Sequence, residues 1–124
     1  QKSIPHQRYL QSRVIYERIY TMKKLEKVFT YINDRLFDGL LDMPALLLVE
    51  EEDMQTLYPE YPDLIHHGLF FYEENIIAIN EEADIFNTMV HEMIHLWQFE
   101  NHKYMGHEGW FRVWCEKAYE EFYR

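Results

Sequence analysis

From Asn80 to Glu100 the residue pattern fits an amphipathic helix, and that helix constrains the rest of the chain. Ile85, Met89, Val90, Met93 and Trp97 recur at steps of three and four, which lines one face with apolar side chains. Asn80 is placed to cap the first turn. Glu81, Glu82 and Asp84 put carboxylates where the helix dipole favours them. The expected helix runs from about 82 to 100. His91 and His95 ride on it four residues apart, so their imidazoles stand one turn apart on one side. Two imidazoles so placed can hold one metal ion, and Glu92 is close enough to act on a water bound to that ion.

The surrounding pattern predicts an α+β fold in a single domain, residues 1–124. Ile15, Ile19, Met22, Leu25, Phe29, Ile32 and Leu36 mark one helix face, and Gly39 is placed to stop that helix. Residues from about 6 to 20 form either a separate basic helix or a continuation of the same one. Leu46-Leu47-Leu48-Val49, after Pro44, reads as a buried strand that the four acids Glu50 to Asp53 bring to an end. Residues 54–67 contain Pro59 and Pro62 and little periodicity, so they read as a long loop able to cover a cleft. Residues 68–72 and 75–79, separated by Glu73-Glu74, read as a β-hairpin. Asn101 to Gly106 is a turn. A last helix, about 108–122, carries Phe111, Trp114, Cys115, Ala118 and Phe122. The expected architecture is N-terminal helices, about three strands, a metal-binding helix and a C-terminal helix.

His91-Glu92-Met93-Ile94-His95 is the H-E-x-x-H pattern of zinc metallopeptidases. Catalytic zinc takes three protein ligands and leaves a fourth position for water. Histidines together with a water suit Zn²⁺ better than other divalent ions. The third ligand is open to several readings. His107, twelve residues after His95, is brought back over the first helix by a helix–turn–helix reversal and is the favoured candidate. Glu116 or Glu120 on the last helix would make a site of two histidines and a glutamate. His102, seven residues after His95, is one residue too far for the H-E-x-x-H-x-x-G-x-x-H spacing, and Phe99-Glu100 stand where that pattern has its glycine turn. The chemistry implied is peptide-bond hydrolysis with Glu92 as general base. The substrate backbone is expected along the exposed edge of the hairpin.

The H-E-x-x-H segment, followed by Gly106-His107 and by Phe111 four residues later, resembles the SprT-like metallopeptidases, the family of the Spartan proteases and bacterial SprT. Leu36-Phe37-Asp38-Gly39-Leu40-Leu41 resembles that family's segment between its first helix and first strand. The hairpin 68–79 resembles the strands before its active-site helix. The resemblance spans about residues 20–122. It implies a zincin-like minimal metallopeptidase core, zinc held by His91, His95 and His107, Glu92 as the catalytic residue, and a protein or peptide substrate. Two departures stand out. Glu108 occupies the place where the family often has a second glycine, and no Cys-rich module accompanies the lone Cys115. The family's accessory parts often supply DNA binding, so the resemblance covers the catalytic core rather than a role at DNA.

Charge divides the chain. Residues 1–27 carry seven Lys/Arg against two Glu, and the remainder carries five against twenty Asp/Glu. The acidic bulk argues against nucleic-acid binding by counterion release, and the basic end alone keeps DNA association open through residues 1–27. The plainer reading of that end is a solvated helix face. Aromatics at 17% serve packing or line a groove for a peptide. A single cysteine points to a reducing compartment, and no apolar run reaches the length of a membrane span. The first residues show no signal-peptide pattern, which points to a cytoplasmic or nucleoid- or nuclear-associated protein; Gln1 leaves an upstream leader open. His66 and His67 read as polar surface, with a role beside substrate or metal as the alternative. Tyr104 reads as an ordinary turn tyrosine, one of ten in the chain, with a hydrogen bond to an oxyanion as the alternative. Two other functions compete with the peptidase. One is a non-catalytic zincin-fold binding or regulatory module, against which Glu92 argues because a structural zinc site needs no general base. The other is a nucleic-acid-associated protein acting through its basic end.

Overall fold

The helical period of the first third produces one unbroken helix, α1 (Pro5–Leu36), so residues 6–20 continue it and do not form a separate element. The computed structural model describes the backbone of residues 5–57 and 67–124, and side chains from Thr21 onward except at positions 55 and 57. The side chains of residues 1–20, most of the basic end, therefore lie outside the described residues. So does 58–66 of the expected loop, with His66. α1 stops as expected: Asp38 and Gly39 both take left-handed backbone, and the Gly39 N–H donates to the Asn33 carbonyl at 2.9 Å. The buried Asn33 side chain then clasps the following segment. Its Nδ2 donates to the Leu41 carbonyl at 2.9 Å, and its Oδ1 accepts from the Leu41 N–H at 3.1 Å.

Three strands follow in an α+β order: β1 (Ala45–Val49), β2 (Gly68–Phe71) and β3 (Ile76–Asn80). They form a mixed sheet in the order β1-β3-β2. β1 runs parallel to β3, with Ala45 opposite Ile76 and Val49 opposite Asn80. β2 is antiparallel to β3, with Gly68 opposite Ile79, as the hairpin reading requires. The central strand is the buried one, with Ile77, Ala78 and Ile79 almost fully enclosed. β1 was expected to be buried but is an edge strand: only Leu46 is enclosed, and Leu47 is exposed. An apolar run marks a strand without telling the middle of a sheet from its edge.

The acids after β1 were expected to lead into a loop. Instead they open a short helix, α2 (Glu51–Leu57), with Glu51, Glu52 and Asp53 in its first turn. Asn80 was expected to cap the metal-binding helix. It remains the last residue of β3, and its Oδ1 accepts from the Glu82 N–H at 2.9 Å in a local turn. The cap is Asp84, whose carboxylate accepts from the Asn87 N–H at 3.0 Å, so the helix α3 (Ile85–Glu100) begins three residues later than expected. The last helix is α4 (Trp110–Phe122). Its Phe111 and Ala118 are buried, while Cys115 is exposed and not part of the core.

The core joins these pieces. Leu25, Phe29 and Ile32 of α1, Leu46 of β1, Ile77 and Ile79 of β3, Met89, Met93, Ile94 and Leu96 of α3, and Phe111 and Ala118 of α4 form one cluster. At about 1.5–3 kcal/mol for each large apolar side chain enclosed, α3 is the best-anchored element. Among the described residues, no helix is long and apolar enough to cross a membrane.

Candidate metal centre

Three imidazoles meet at one point. His91 and His95 project from α3, and His107 comes from the connector between α3 and α4. The Nε2 of His107 lies 3.2 Å from the Nε2 of His91 and 3.2 Å from the Nε2 of His95. Two nitrogens bound at 2.0–2.1 Å to one tetrahedral ion stand about 3.3–3.4 Å apart. The three histidines therefore lie close enough to bind a metal ion. Phe111 forms a common wall behind them, its ring centre 4.7–5.0 Å from each imidazole. A buried aromatic wall of this kind limits ring rotation and screens one side of the site from water.

The reversal that delivers His107 begins at the C-terminus of α3. Asn101 ends the helix, and His102 follows with a left-handed φ of 55°. The His102 N–H donates to the Phe99 carbonyl at 3.2 Å, and the Lys103 N–H donates to the Gln98 carbonyl at 2.8 Å. This pair of bonds is a Schellman stop with His102 where glycine usually stands. His102 thus acts as the helix terminator and is not among the three converging histidines. Glu116 and Glu120 are not in the cluster either, and both are exposed. Tyr104 is 84% exposed, and its ring lies so close to Gly106 that a Cβ there would fall 2.4 Å from it. Gly109 takes φ 61° immediately before α4.

Glu92 is buried, 5% exposed, and shares a cleft of about 270 Å³ with the three histidines. One wall of that cleft is β2, through Gly68, Leu69 and Phe70; Met105 of the connector closes another side. Gly68 permits the close approach. A Cβ there would stand 2.5 Å from Thr88 Cγ2, 3.1 Å from the Ala78 carbonyl oxygen and 3.3 Å from Glu92 Cγ. A side chain at 68 would push β2 away from the carboxyl. Among the described residues β2 pairs only with β3, so the strand beside Glu92 is an edge.

Burial controls the electrostatics. It pushes the Glu92 carboxyl up to about 8. It pulls His91 down to about 4, with the neighbouring His95, His107 and His67 adding to the effect. His95 is also lowered by burial, against an opposing hydrogen bond to Gln98, with His107 lowering it further. Neutral imidazoles are the form that ligates a metal, so burial favours the ligating form of His91 and His95. A divalent ion at the same point favours the ionised form of Glu92, reversing the effect of burial.

Gln98 and Phe111 carry contacts to the histidines that the H-E-x-x-H pattern does not announce. Gln98 is fully buried and touches His95 and the connector. Its sequence signal is its position three residues after His95, on the same side of the helix. Comparison with protein-family models, with curated proteins and with solved structures finds no match to this chain.

Proposed function

We propose that this chain is a zinc-dependent metalloendopeptidase of the SprT-like type, with a zincin-like core. The observation that carries the reading is the convergence of the His91, His95 and His107 Nε2 atoms beside the buried carboxyl of Glu92. A purely structural zinc site closes with a fourth protein ligand. Here the three histidines border a cleft that also contains the Glu92 carboxyl, and no fourth protein ligand joins them among the described residues. Bound zinc supplies a Lewis acid and lowers the pKa of its water towards ~7.

The remaining steps belong to this chain's residues. The three imidazoles hold neutral nitrogens at the metal position, and Phe111 limits their motion. Glu92 accepts the proton as water attacks the scissile carbonyl carbon. It then delivers that proton to the amide nitrogen as the C–N bond breaks, leaving a carboxylic acid and an amine. An extended segment of the substrate would add to the edge of β2 as a further strand, with main-chain hydrogen bonds supplying sequence-tolerant affinity. The substrate class is an unfolded or extended protein segment.

The test is proteolysis of casein by the zinc-loaded protein, its 1,10-phenanthroline-treated form and its Glu92→Gln variant. Zinc-loaded wild type is expected to cleave, and the chelated protein to be inactive. The variant should retain one zinc and lose activity by about 10²–10⁴-fold. Cleavage by Glu92→Gln at the wild-type rate would end the peptidase reading.

A further inference from the structure

The side-chain amide of Gln98 has only one orientation that satisfies both of its neighbours. One end lies 3.0 Å from the carbonyl oxygen of Gly106, and the other lies 2.7 Å from Nδ1 of His95. A carbonyl oxygen only accepts hydrogen bonds, so the amide must turn its NH₂ towards Gly106. Its oxygen is then the atom facing His95. An amide oxygen also only accepts, so His95 Nδ1 must carry the hydrogen. The lone pair of a neutral His95 is thereby assigned to Nε2, the atom 3.2 Å from His107 Nε2. The main chain of Gln98 makes a second tie, since its carbonyl accepts the Lys103 N–H at 2.8 Å. One residue thus holds both the beginning and the end of the connector that brings His107 to the site. With Gln98 at 0% exposure, no water competes for these bonds.

We propose that Gln98 is the positioning residue of the metal centre, setting the tautomer of His95 and fastening the His107 connector to α3 through one buried amide. The inference rests on reading the three histidines as metal ligands. It does not require that the protein hydrolyse peptides. Ligand histidines with their second nitrogen engaged bind metal in a fixed ring orientation, and loss of such a partner typically weakens binding. In this chain the same amide also reaches the neighbour of a second ligand. Its loss therefore acts on two of the three imidazoles together.

The test compares wild type with Gln98→Met, which keeps a similar volume and removes both side-chain hydrogen bonds. Three measurements are made: the imidazole tautomers by long-range ¹H–¹⁵N correlation in the metal-free protein, zinc affinity by chelator competition, and amide exchange of residues 102–107. Wild type is expected to show His95 protonated at Nδ1 before any zinc is added. In the variant, His95 should lose that single tautomer, the connector amides should exchange faster, and zinc affinity should fall by about 10–100-fold. A wild-type His95 protonated at Nε2 would overturn the proposal, as would a variant that binds zinc with unchanged affinity. If Gln98→Met does not fold, the wild-type tautomer alone decides. A protein that binds zinc with the expected tautomer yet cleaves no substrate would sink the peptidase reading and leave the role of Gln98 standing.

Discussion

Replacing Glu92 with Gln should stabilise the metal-free protein, by an amount that grows with pH. Burial raises the Glu92 carboxyl from 4.5 to about 8 in the folded chain. Below pH 4.5 the group is neutral in both folded and unfolded chains, and its burial involves no charge. Between 4.5 and 8 the unfolded chain ionises while the folded chain keeps its proton. Stability then falls by about 1.4 kcal/mol per pH unit. Above pH 8 the loss levels off at about 4–5 kcal/mol. Glutamine has nearly the same volume and stays neutral throughout. The variant's advantage should therefore be close to zero at pH 4.5, about 3 kcal/mol at pH 7 and about 4–5 kcal/mol at pH 9. His91 and His95 also titrate with folding, but they do so in both proteins and cancel in the comparison. Urea denaturation in EDTA at the three pH values measures the difference directly. A gain that does not vary with pH, or a variant less stable than wild type at pH 9, would refute the argument. Saturating zinc supplies a second arm: with a dication beside the carboxylate, the advantage of glutamine should disappear or change sign.

Two further substitutions probe the geometry around the site. His102→Gly relieves the left-handed backbone of the Schellman stop; the steric gain of about 1–2 kcal/mol less the flexibility cost of glycine leaves a net stabilisation of about 0.5–1 kcal/mol. Chemical denaturation reads that gain, and a fall in zinc affinity would place His102 among the ligands after all. Gly68→Ala puts a methyl group against Thr88, the Ala78 carbonyl and Glu92. It should cost about 1–3 kcal/mol of stability and reduce casein hydrolysis more than zinc affinity. Wild-type stability and rate would show that β2 can move aside freely.

The elements that were legible in the sequence are those whose period is long or whose turn chemistry is unambiguous. α1, α3 and α4 each repeat an apolar stripe over several turns, and the hairpin combines two short apolar runs with a polar turn at Glu73-Glu74. His91 and His95 needed only helical spacing. His107 needed the reversal after α3, and the chain carries no glycine at its pivot; His102 takes the left-handed conformation there. Boundaries were less legible where two residues could do the same work. Asn80 and Asp84 are both good caps, and pairing of Asn80 with Val49 across the sheet decides between them. The exposure of Cys115 and the edge position of β1 depend on what lies opposite in space, which periodicity does not encode. Gln98 was missed for a similar reason: its spacing from His95 marks one partner, but the other, the Gly106 carbonyl, meets it only once the connector has folded back.

The three histidines differ in how firmly the fold holds them, and this would have a kinetic consequence for any ion they bind. His91 and His95 belong to a helix whose opposite side is the centre of the core, so separating them from an ion requires disruption close to global unfolding. His107 is exposed and stands on a short connector. Local opening of that connector costs only a fraction of the global free energy. An ion held by these three residues would therefore leave from the His107 side first, while His91 and His95 stay on an intact helix. Its residence time would follow the opening rate of residues 102–107, so exchange with competing chelators would proceed while the fold stays closed.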